Sequence, residues 1–214
     1  MIVKNLGEQN SVASQFLREL RNPELQKDRL RFRHNLSRLG EIMAYEISKD
    51  LDYHKEEVTT PLGSTVMSLP DPEIVLLTIL RAGLPLLQGF QHIFDSADTG
   101  FIGSYRVEGA SEIHIQRDYM AAPSLAGKTV IITDTMLATG RSLIDAVNTV
   151  IQHGQPIHLH LASVIAAPEG VQYLMKNIKI PSTLWVCAVD EKLNSKFYIV
   201  PGLGDAGDLC FGPK

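Results

Sequence analysis

"VIITDTMLATGRSLIDAV", residues 130–147, is the stretch of the sequence that says most about the fold. An apolar run ends in Asp134, a short polar segment follows over residues 135–140, and an amphipathic pattern begins at residues 141–142. The pattern predicts a buried strand, a loop and a helix in direct succession. In an open parallel sheet, ligands bind outside the carboxyl ends of the strands. The loop is therefore expected at a ligand site.

The rest of the chain repeats the alternation of apolar runs and helical patterns. The runs typical of strands buried on both faces are residues 73–80, 129–133, 159–166 and 183–189. Helical patterns cover residues 84–94, 142–153 and 168–178. Two more strands are expected at residues 100–106 and 112–119, bridged by Gly109. The alternation predicts an α/β fold, a parallel sheet with helices on both faces.

The N-terminal third indicates a helical extension. It predicts a helix around residues 12–20 and a second, longer helix that begins with Asn22 as N-cap and Pro23 and ends at Ser48. Residues 53–70 predict a pair of extended segments. The whole chain, residues 1–214, is expected to form one domain, with the core sheet and helices over about 71–190 and with residues 1–70 and 191–214 outside that core.

Composition excludes several classes of function. A net charge of -4 over 214 residues gives no electrostatic footprint for nucleic acid or an anionic membrane. The longest apolar run, residues 74–80, is too short to span a bilayer, and the N-terminus shows no signal-peptide core. We therefore expect a cytoplasmic protein with neither a membrane nor a nucleic acid as partner.

Cysteine and histidine placement predicts no metal site. Cys187 and Cys210 are too few and too far apart for a zinc or redox site, and Cys187 lies in an apolar run that favours a buried, inert thiol. His158 and His160 alternate along one predicted strand, but they lack a third ligand nearby in the sequence.

The segment Gly202–Gly207, "GLGDAG", matches the glycine fingerprint of dinucleotide-binding folds. That fingerprint needs a helix, a strand and an acidic residue after it, and we expect no room for them before Lys214. A dinucleotide is therefore not the expected ligand.

The composition of the loop suits a phosphorylated sugar. Thr139 and Ser142 offer hydroxyl donors, Gly140 lets the backbone approach closely, and the helix N-terminus adds unpaired N–H groups. Phosphate would repel Asp134, whose carboxylate is better suited to accept hydrogen bonds from a sugar diol. The loop lacks the Gly-Lys-Ser/Thr ending of a Walker loop. The alternative is an ordinary strand–turn–helix with a capping serine.

The loop pattern Asp-x-Met-Leu-Ala-Thr-Gly-x-Ser resembles the phosphoribosyl-diphosphate (PRPP) loop of type I phosphoribosyltransferases, and most closely that of the uracil phosphoribosyltransferase family. The segment "ILRAGLPLLQGF", residues 79–90, resembles that family's diphosphate-contacting loop. The segment "YIVPGLGDAGDLCFG", residues 198–212, is similar to its uracil-binding C-terminus. The resemblance covers most of residues 70–214 and implies a phosphoribosyltransferase-like sheet under a C-terminal base-binding hood.

The resemblance implies specific roles for individual residues. Arg81 and Arg106 would be catalytic and contact the diphosphate, and Asp134 would orient the ribose. The implied PRPP-binding residues are Arg81, Arg106, Asp134, Thr135, Met136, Leu137, Ala138, Thr139, Gly140, Arg141, Ser142 and Asp205. The implied uracil-binding residues are Ile199, Gly204, Asp205 and Ala206. Arg117 is a further candidate, as a basic residue of the family's hairpin.

The resemblance also implies the reaction and its partners. Uracil and PRPP would give uridine 5′-monophosphate (UMP) and diphosphate, with Mg²⁺ carried by PRPP and with no protein-held metal. A homodimer or a higher homo-oligomer is expected. Uracil's edge has two carbonyl acceptors that flank one N–H donor, which a glycine-rich backbone can match.

Two departures from the family pattern stand in the loop. Thr135 replaces the usual proline, and Arg141 replaces the usual second glycine. Three other functions remain open: an RNA-binding attenuation protein, a purine phosphoribosyltransferase, and an inactive PRPP sensor. The net charge counts against the first and the tail sequence against the second.

Overall fold

The computed structural model describes residues 1–70, 73–103 and 119–213. The helices are α1 (Ala13–Arg21), α2 (Arg29–Ser48), α3 (Gly83–Ile93), α4 (Arg141–His153), α5 (Pro168–Asn177) and α6 (Ala206–Phe211). The strands are β1 (Ile2–Asn5), β2 (Tyr53–Thr60), β3 (Gly63–Pro70), β4 (Ile74–Leu80), β5 (Asp98–Gly103), β6 (Tyr119–Ala121), β7 (Thr129–Leu137), β8 (His158–Ala166), β9 (Ser182–Val189), β10 (Lys192–Leu193) and β11 (Ile199–Val200).

A seven-stranded sheet forms the centre, in the order β1-β9-β8-β7-β4-β5-β6. Every pairing in it is parallel except that of β5 with β6. Side chains alternate between two cores: Ile131 packs with residues of α2 and α3, while Val130 and Ile132 pack with residues of α4 and α5. Helices therefore cover both faces of the sheet, and the predicted fold class is confirmed.

The central strand β7 is longer than its apolar run predicts. The sequence placed Asp134 at the end of the strand and a loop over residues 135–140, but the strand continues to Leu137. Met136 and Leu137 pair with Ile165 and Ala166 of β8. Because β8 is equally long, the parallel ladder satisfies these backbone groups, and the loop shrinks to residues 138–140.

The long N-terminal helix begins later than predicted. Asn22 precedes only a 3-10 turn over Leu25–Lys27, whose N-cap position is Glu24; the Asn22 side chain accepts the N–H groups of Glu24 and Leu25 at 2.9 and 3.1 Å. The helix α2 begins at Arg29, with Asp28 as N-cap accepting the Arg31 N–H at 3.1 Å. The carboxylate cap at Asp28 thus replaces the predicted start at Asn22 and Pro23.

Of the other elements that precede the core, one pair of strands follows the prediction and one strand was not predicted. The extended pair over residues 53–70 is confirmed as the antiparallel hairpin of β2 and β3. The strand β1, which pairs in parallel with β9, was not predicted. Of the strand predicted at residues 112–119, all but Tyr119 lies outside the described residues, as does the end of the one predicted at 100–106.

The C-terminal segment does contain a helix, so the expectation of no room for one was wrong. The helix α6 follows the glycine-rich stretch directly. The preceding strand β11 lies in a separate two-stranded ribbon with β10 and not in the parallel sheet. The dinucleotide fingerprint needs a strand of the parallel sheet before its helix. Since β11 is not such a strand, Gly202–Gly207 matches the fingerprint in its residue pattern only.

Among the residues that the structure describes, no helix is both long and apolar enough to cross a membrane.

Candidate active site

The phosphate loop, residues 134–142, turns sharply between β7 and α4. Gly140 is the N-cap of α4 and has φ of +79°. A Cβ there would lie 3.1 Å from the Gly170 carbonyl oxygen and 3.2 Å from the Tyr173 ring. Both facts require glycine at this position. The turn leaves the N-terminus of α4 open at the carboxyl edge of the sheet.

The first turn of α4 supplies donors for an anion. Among the residues that the structure describes, no side chain caps this helix, and the side-chain contact to its first N–H is a long one, 3.5 Å from Arg141 N to Thr139 Oγ1. N–H groups in the first turn have no acceptor within their own helix. They point toward the loop together with the positive end of the helix dipole, an arrangement that binds phosphate. Arg141 is exposed at this point and adds a positive charge.

Asp134 is the titratable group of the phosphate loop. Its Oδ1 accepts the backbone N–H of Thr135 at 2.7 Å. Burial raises the pKa of Asp134 to about 7, against the opposing effect of backbone hydrogen bonds from Thr135 and Met136. Hydroxyl donors from a bound diol would favour the charged form and lower this pKa. The carboxylate is thus suited to bind a group that donates hydrogen bonds.

Arg81 lies one residue beyond β4, at the same edge of the sheet. The strand β4 is adjacent to β7, and Thr78 pairs with Thr133 just before Asp134. The Arg81 guanidinium reaches the C-terminal helix α6: Nη2 lies 3.3 Å from Asp208 Oδ1, and Nη1 lies 3.4 Å from the Gly212 carbonyl oxygen. Its side chain is 37% exposed, so an anion can reach it.

The tail, residues 198–212, presents the predicted uracil-binding residues from two short elements. Ile199 is buried on β11 opposite Leu193, and Ala206 is buried at the start of α6. Between them, Gly204 and Asp205 are exposed, and Gly204 has φ of +95°. The Asp205 side chain caps α6 by accepting the Asp208 N–H at 3.0 Å.

Arg81 and Asp205 both lie close to Gly207. A Cβ built on Gly207 would be 3.1 Å from Asp205 Oδ1 and 3.4 Å from Arg81 Nη2. The structure therefore brings the predicted diphosphate-binding arginine to the predicted uracil-binding segment. The sequence analysis did not single out Asp208. The feature that could have indicated it is its place three residues after Asp205, an aspartate that caps a helix.

The other two predicted basic residues cannot be placed. Arg106 and Arg117 both lie outside the described residues, so the second diphosphate arginine stays a prediction.

The two histidines form hydrogen bonds within the fold, and both cysteines are buried. His160 is buried, its Nδ1 accepts the Trp185 indole N–H at 3.1 Å, and burial lowers its pKa to about 4. His158 Nε2 contacts Thr183 Oγ1 at 3.0 Å. Both cysteines are buried, which raises the pKa of each thiol to about 12. Within the described ranges, no three His, Cys, Asp or Glu side chains are grouped to hold a metal.

Comparisons with known proteins agree with this geometry. Residues 8–213 match the family model described as uracil phosphoribosyltransferase. A protein of Porphyromonas gingivalis named uracil phosphoribosyltransferase is 44% identical over 215 residues, which cover 100% of both chains. The solved structure of the AQ2163 protein from Aquifex aeolicus has a TM-score of 0.86 and 35% identity, over 99% of this chain and 98% of that one.

A more distant structure shows the wider fold. The orotate phosphoribosyltransferase of Mycobacterium tuberculosis superposes with a TM-score of 0.51 over 87% of this chain and 94% of its own, at 13% identity. The likeness shows that the two chains share this fold. Since the family model and the full-length relative both extend from the N-terminal helices through the tail, this chain belongs to the uracil phosphoribosyltransferase family.

Proposed function

We propose that this chain transfers the phosphoribosyl group of PRPP to uracil, giving UMP and diphosphate. The contact of Arg81 with the tail is the observation that carries the proposal. It joins the arginine predicted to bind diphosphate to the segment predicted to bind the base, at the sheet edge where the phosphate loop opens. The family of the chain supports the same reaction.

The phosphate loop would hold the phosphoribosyl part of PRPP. The first-turn N–H groups of α4 and the hydroxyls of Thr139 and Ser142 would bind the 5′-phosphate. The Asp134 carboxylate would accept hydrogen bonds from the two ribose hydroxyls, which fixes the sugar relative to β7. Charge-assisted hydrogen bonds of this kind are about twice as strong as neutral ones.

The reaction breaks the bond from the sugar C1 to the diphosphate oxygen and forms a bond from C1 to N1 of uracil. The proton on N1 is released in the same step, to the departing diphosphate or to solvent. Negative charge grows on the diphosphate, and positive charge grows on the sugar ring as the bond lengthens. Arg81, with Arg106 as the predicted second arginine, would stabilise the leaving diphosphate. The contribution of the protein is then positioning and electrostatic stabilisation.

The tail would recognise the base through its backbone. Gly204 and Asp205 expose their peptide groups, while Ile199 and Ala206 are buried beside them. A left-handed Gly204 allows a backbone turn without a Cβ between the peptide and the base. Peptide N–H and C=O groups can pair with the two carbonyls and the N–H of uracil.

Magnesium would enter with PRPP and be held by diphosphate and ribose oxygens, with Asp205 within reach of the same region. When bound, the ion would offset charge on the diphosphate.

We further propose that the enzyme is cytoplasmic and acts as a homodimer or a higher homo-oligomer. The first follows from the apolar runs and the N-terminal sequence, and the second from the family resemblance. Sedimentation velocity of the purified chain tests the second.

The test of the reaction is UMP formation from uracil, PRPP and Mg²⁺, with Arg81→Ala measured beside the natural chain. We expect UMP from the natural chain and a loss in kcat/KM of about 10²- to 10³-fold for the variant, as for one removed charge-stabilising donor. Diphosphate should also inhibit the variant more weakly. Binding of PRPP without UMP formation would indicate the sensor instead.

A further inference from the structure

An ion pair outside the substrate site joins the N-terminal helix to the tail. Arg21 is the last residue of α1, and Asp190 follows β9 directly. Arg21 Nη2 lies 2.6 Å from Asp190 Oδ1, and Nη1 lies 2.9 Å from Oδ2. The Asp190 side chain is only 4% exposed. This bidentate, nearly buried geometry is the strong form of an arginine–carboxylate pair.

The same two side chains hold both backbone groups of Gly202. Asp190 Oδ2 accepts the Gly202 N–H at 2.9 Å, and Arg21 Nη1 donates to the Gly202 carbonyl oxygen at 3.0 Å. Gly202 lies between Ile199 and Gly204, in the middle of the proposed base-binding segment. Its φ is +62°, and a Cβ there would lie 2.2 Å from the Ile199 carbonyl oxygen. The pair therefore fixes the turn that carries the segment.

We propose that Arg21 and Asp190 are positioning residues for the nucleobase: they hold the Gly202 peptide and so set the base-binding segment at the distance that uracil requires. The expected effect on the KM for uracil rests on the proposed function. Neither residue lies in the PRPP-binding or uracil-binding sets, and both act through Gly202. A misplacement of about 1 Å at a reacting group can cost about a hundredfold in rate.

Two further contacts from the same region support this assignment. With its amide oriented so that the nitrogen faces carbonyl groups, Gln26 donates to the Leu203 carbonyl oxygen at 2.8 Å. Arg33 Nη1 donates to the Cys210 carbonyl oxygen at 2.7 Å. The segment from α1 to α2 thus holds the tail at Gly202, Leu203 and Cys210, and the first two of these lie within the base-binding segment.

The test compares Arg21→Lys with a matched control, Arg31→Lys. Arg31 forms the same kind of bidentate pair with the nearly buried Glu19, at 2.8 Å for both contacts. Within the described part of the chain, it makes no hydrogen bond with the tail. A lysine can still pair with either carboxylate, but its single nitrogen cannot reproduce the contacts that Arg21 makes from Nη1 and Nη2 with both Asp190 oxygens and the Gly202 carbonyl at once.

We expect Arg21→Lys to raise the KM for uracil about tenfold while the KM for PRPP changes less than about twofold, the pattern of a lost binding interaction. Arg31→Lys should leave both KM values within about twofold of the natural chain. Guanidinium ion should partly restore uracil binding to Arg21→Ala. Unchanged KM values in Arg21→Lys, or equal changes for both substrates, would overturn the proposal.

Hydrogen exchange of the free chain gives a second readout that needs no substrate. Arg21→Lys should speed exchange in peptides that cover residues 199–206 and leave β8 peptides unchanged, whereas Arg31→Lys should do neither. Equal exchange in Arg21→Lys and the natural chain would show that the pair does not hold the segment. A natural chain that forms no UMP would instead refute the proposed function, while exchange would still decide the positioning role.

Discussion

The phosphate loop and the tail face each other at one sheet edge, but they are held in opposite ways. Asp134 and Thr139 make their side-chain contacts to backbone N–H groups one and two residues away. The tail is held by Arg21, Arg33 and Arg81, which are 181, 177 and between 127 and 131 residues distant in sequence. One half of the site is built locally, and the other half depends on the rest of the fold.

This difference has a consequence for mutation. A change near the phosphate loop should act on PRPP, whereas changes far from any substrate can act on uracil through the tail. The following predictions test that separation.

The largest effect should concern the choice of base. Cytosine donates where uracil accepts and accepts where uracil donates, and the peptide groups of Gly204 and Asp205 cannot rotate to suit it. Mispaired polar sites reject analogues by about 10⁴-fold or more. We expect uracil and 5-fluorouracil to react and cytosine and hypoxanthine not to, as measured by kcat/KM for each base. Cytosine within about a hundredfold of uracil would refute backbone recognition.

On the other side of the site, Asp134→Asn should lower kcat by about 10²- to 10³-fold, the usual cost of one lost charge-assisted contact in a transition state. The amide keeps the shape and can still accept the Thr135 N–H, but it lacks the charge that binds the ribose hydroxyls. The measurement is kcat at saturating PRPP and uracil. Near-normal kcat would remove Asp134 from the mechanism.

The same substitution should stabilise the free chain at neutral and higher pH. The folded pKa of Asp134, about 7, lies above the ordinary value of 3.8, so the folded state favours the neutral carboxyl and loses stability as the pH rises from about 4 to 7. Asn avoids this loss, which is on the order of 4 kcal/mol. Denaturant unfolding should therefore show a stability gain for the variant at pH 8 that disappears near pH 4. An equal gain at both pH values would contradict the assigned pKa.

Gly140 in the phosphate loop and Gly202 in the tail form a matched pair for substitution. Gly202→Ala should raise the KM for uracil about tenfold with little change for PRPP, and Gly140→Ala should do the reverse, since a left-handed residue with a Cβ costs roughly 1–2 kcal/mol. The expected clash is more severe at Gly202, where the Cβ would meet backbone at 2.2 Å against 3.1 Å at Gly140. Each KM is measured with the other substrate saturating. If both variants change both KM values alike, the two halves of the site are not separable.

The smallest effect is expected at Arg141, where the family usually has glycine. Arg141→Gly removes a charge near the phosphate but also an unfavourable cation at a helix N-terminus, so activity should stay within about tenfold. Steady-state kcat/KM for PRPP measures this. Complete loss would make Arg141 a necessary phosphate ligand.

The contrast between local and distant contacts also explains what the sequence could predict. The alternation of apolar runs and helices led to the correct fold class, and the residues from Asp134 to Ser142 were assigned a ligand site without any knowledge of distant contacts. The end of β7 was misplaced because hydropathy does not show how far a backbone ladder continues, and the ladder with β8 continues through the polar Asp134 and Thr135. The start of α2 was misplaced because two capping residues, Asn22 and Asp28, compete within seven positions.

The partners of the tail could not be predicted at all. In the sequence alone, Arg21 and Arg33 cannot be distinguished from ordinary exposed arginines, because residues 190–210 come beside them only in the folded chain. Contacts of this kind leave no periodic signal in a single sequence.

The parallel pairing of β1 with β9 bears on how the chain is made in the cell. Ile2 pairs with Thr183, so β1 is synthesised some 180 residues before its partner strand β9. At about 5–20 residues per second, that interval is roughly 10 to 40 s. Throughout it, β1 lacks its partner strand. Synthesis of Ser182–Val189 is thus the step that lets β1 join the sheet, and a nascent chain stalled before β9 would leave β1 unpaired and open to chaperones and proteases.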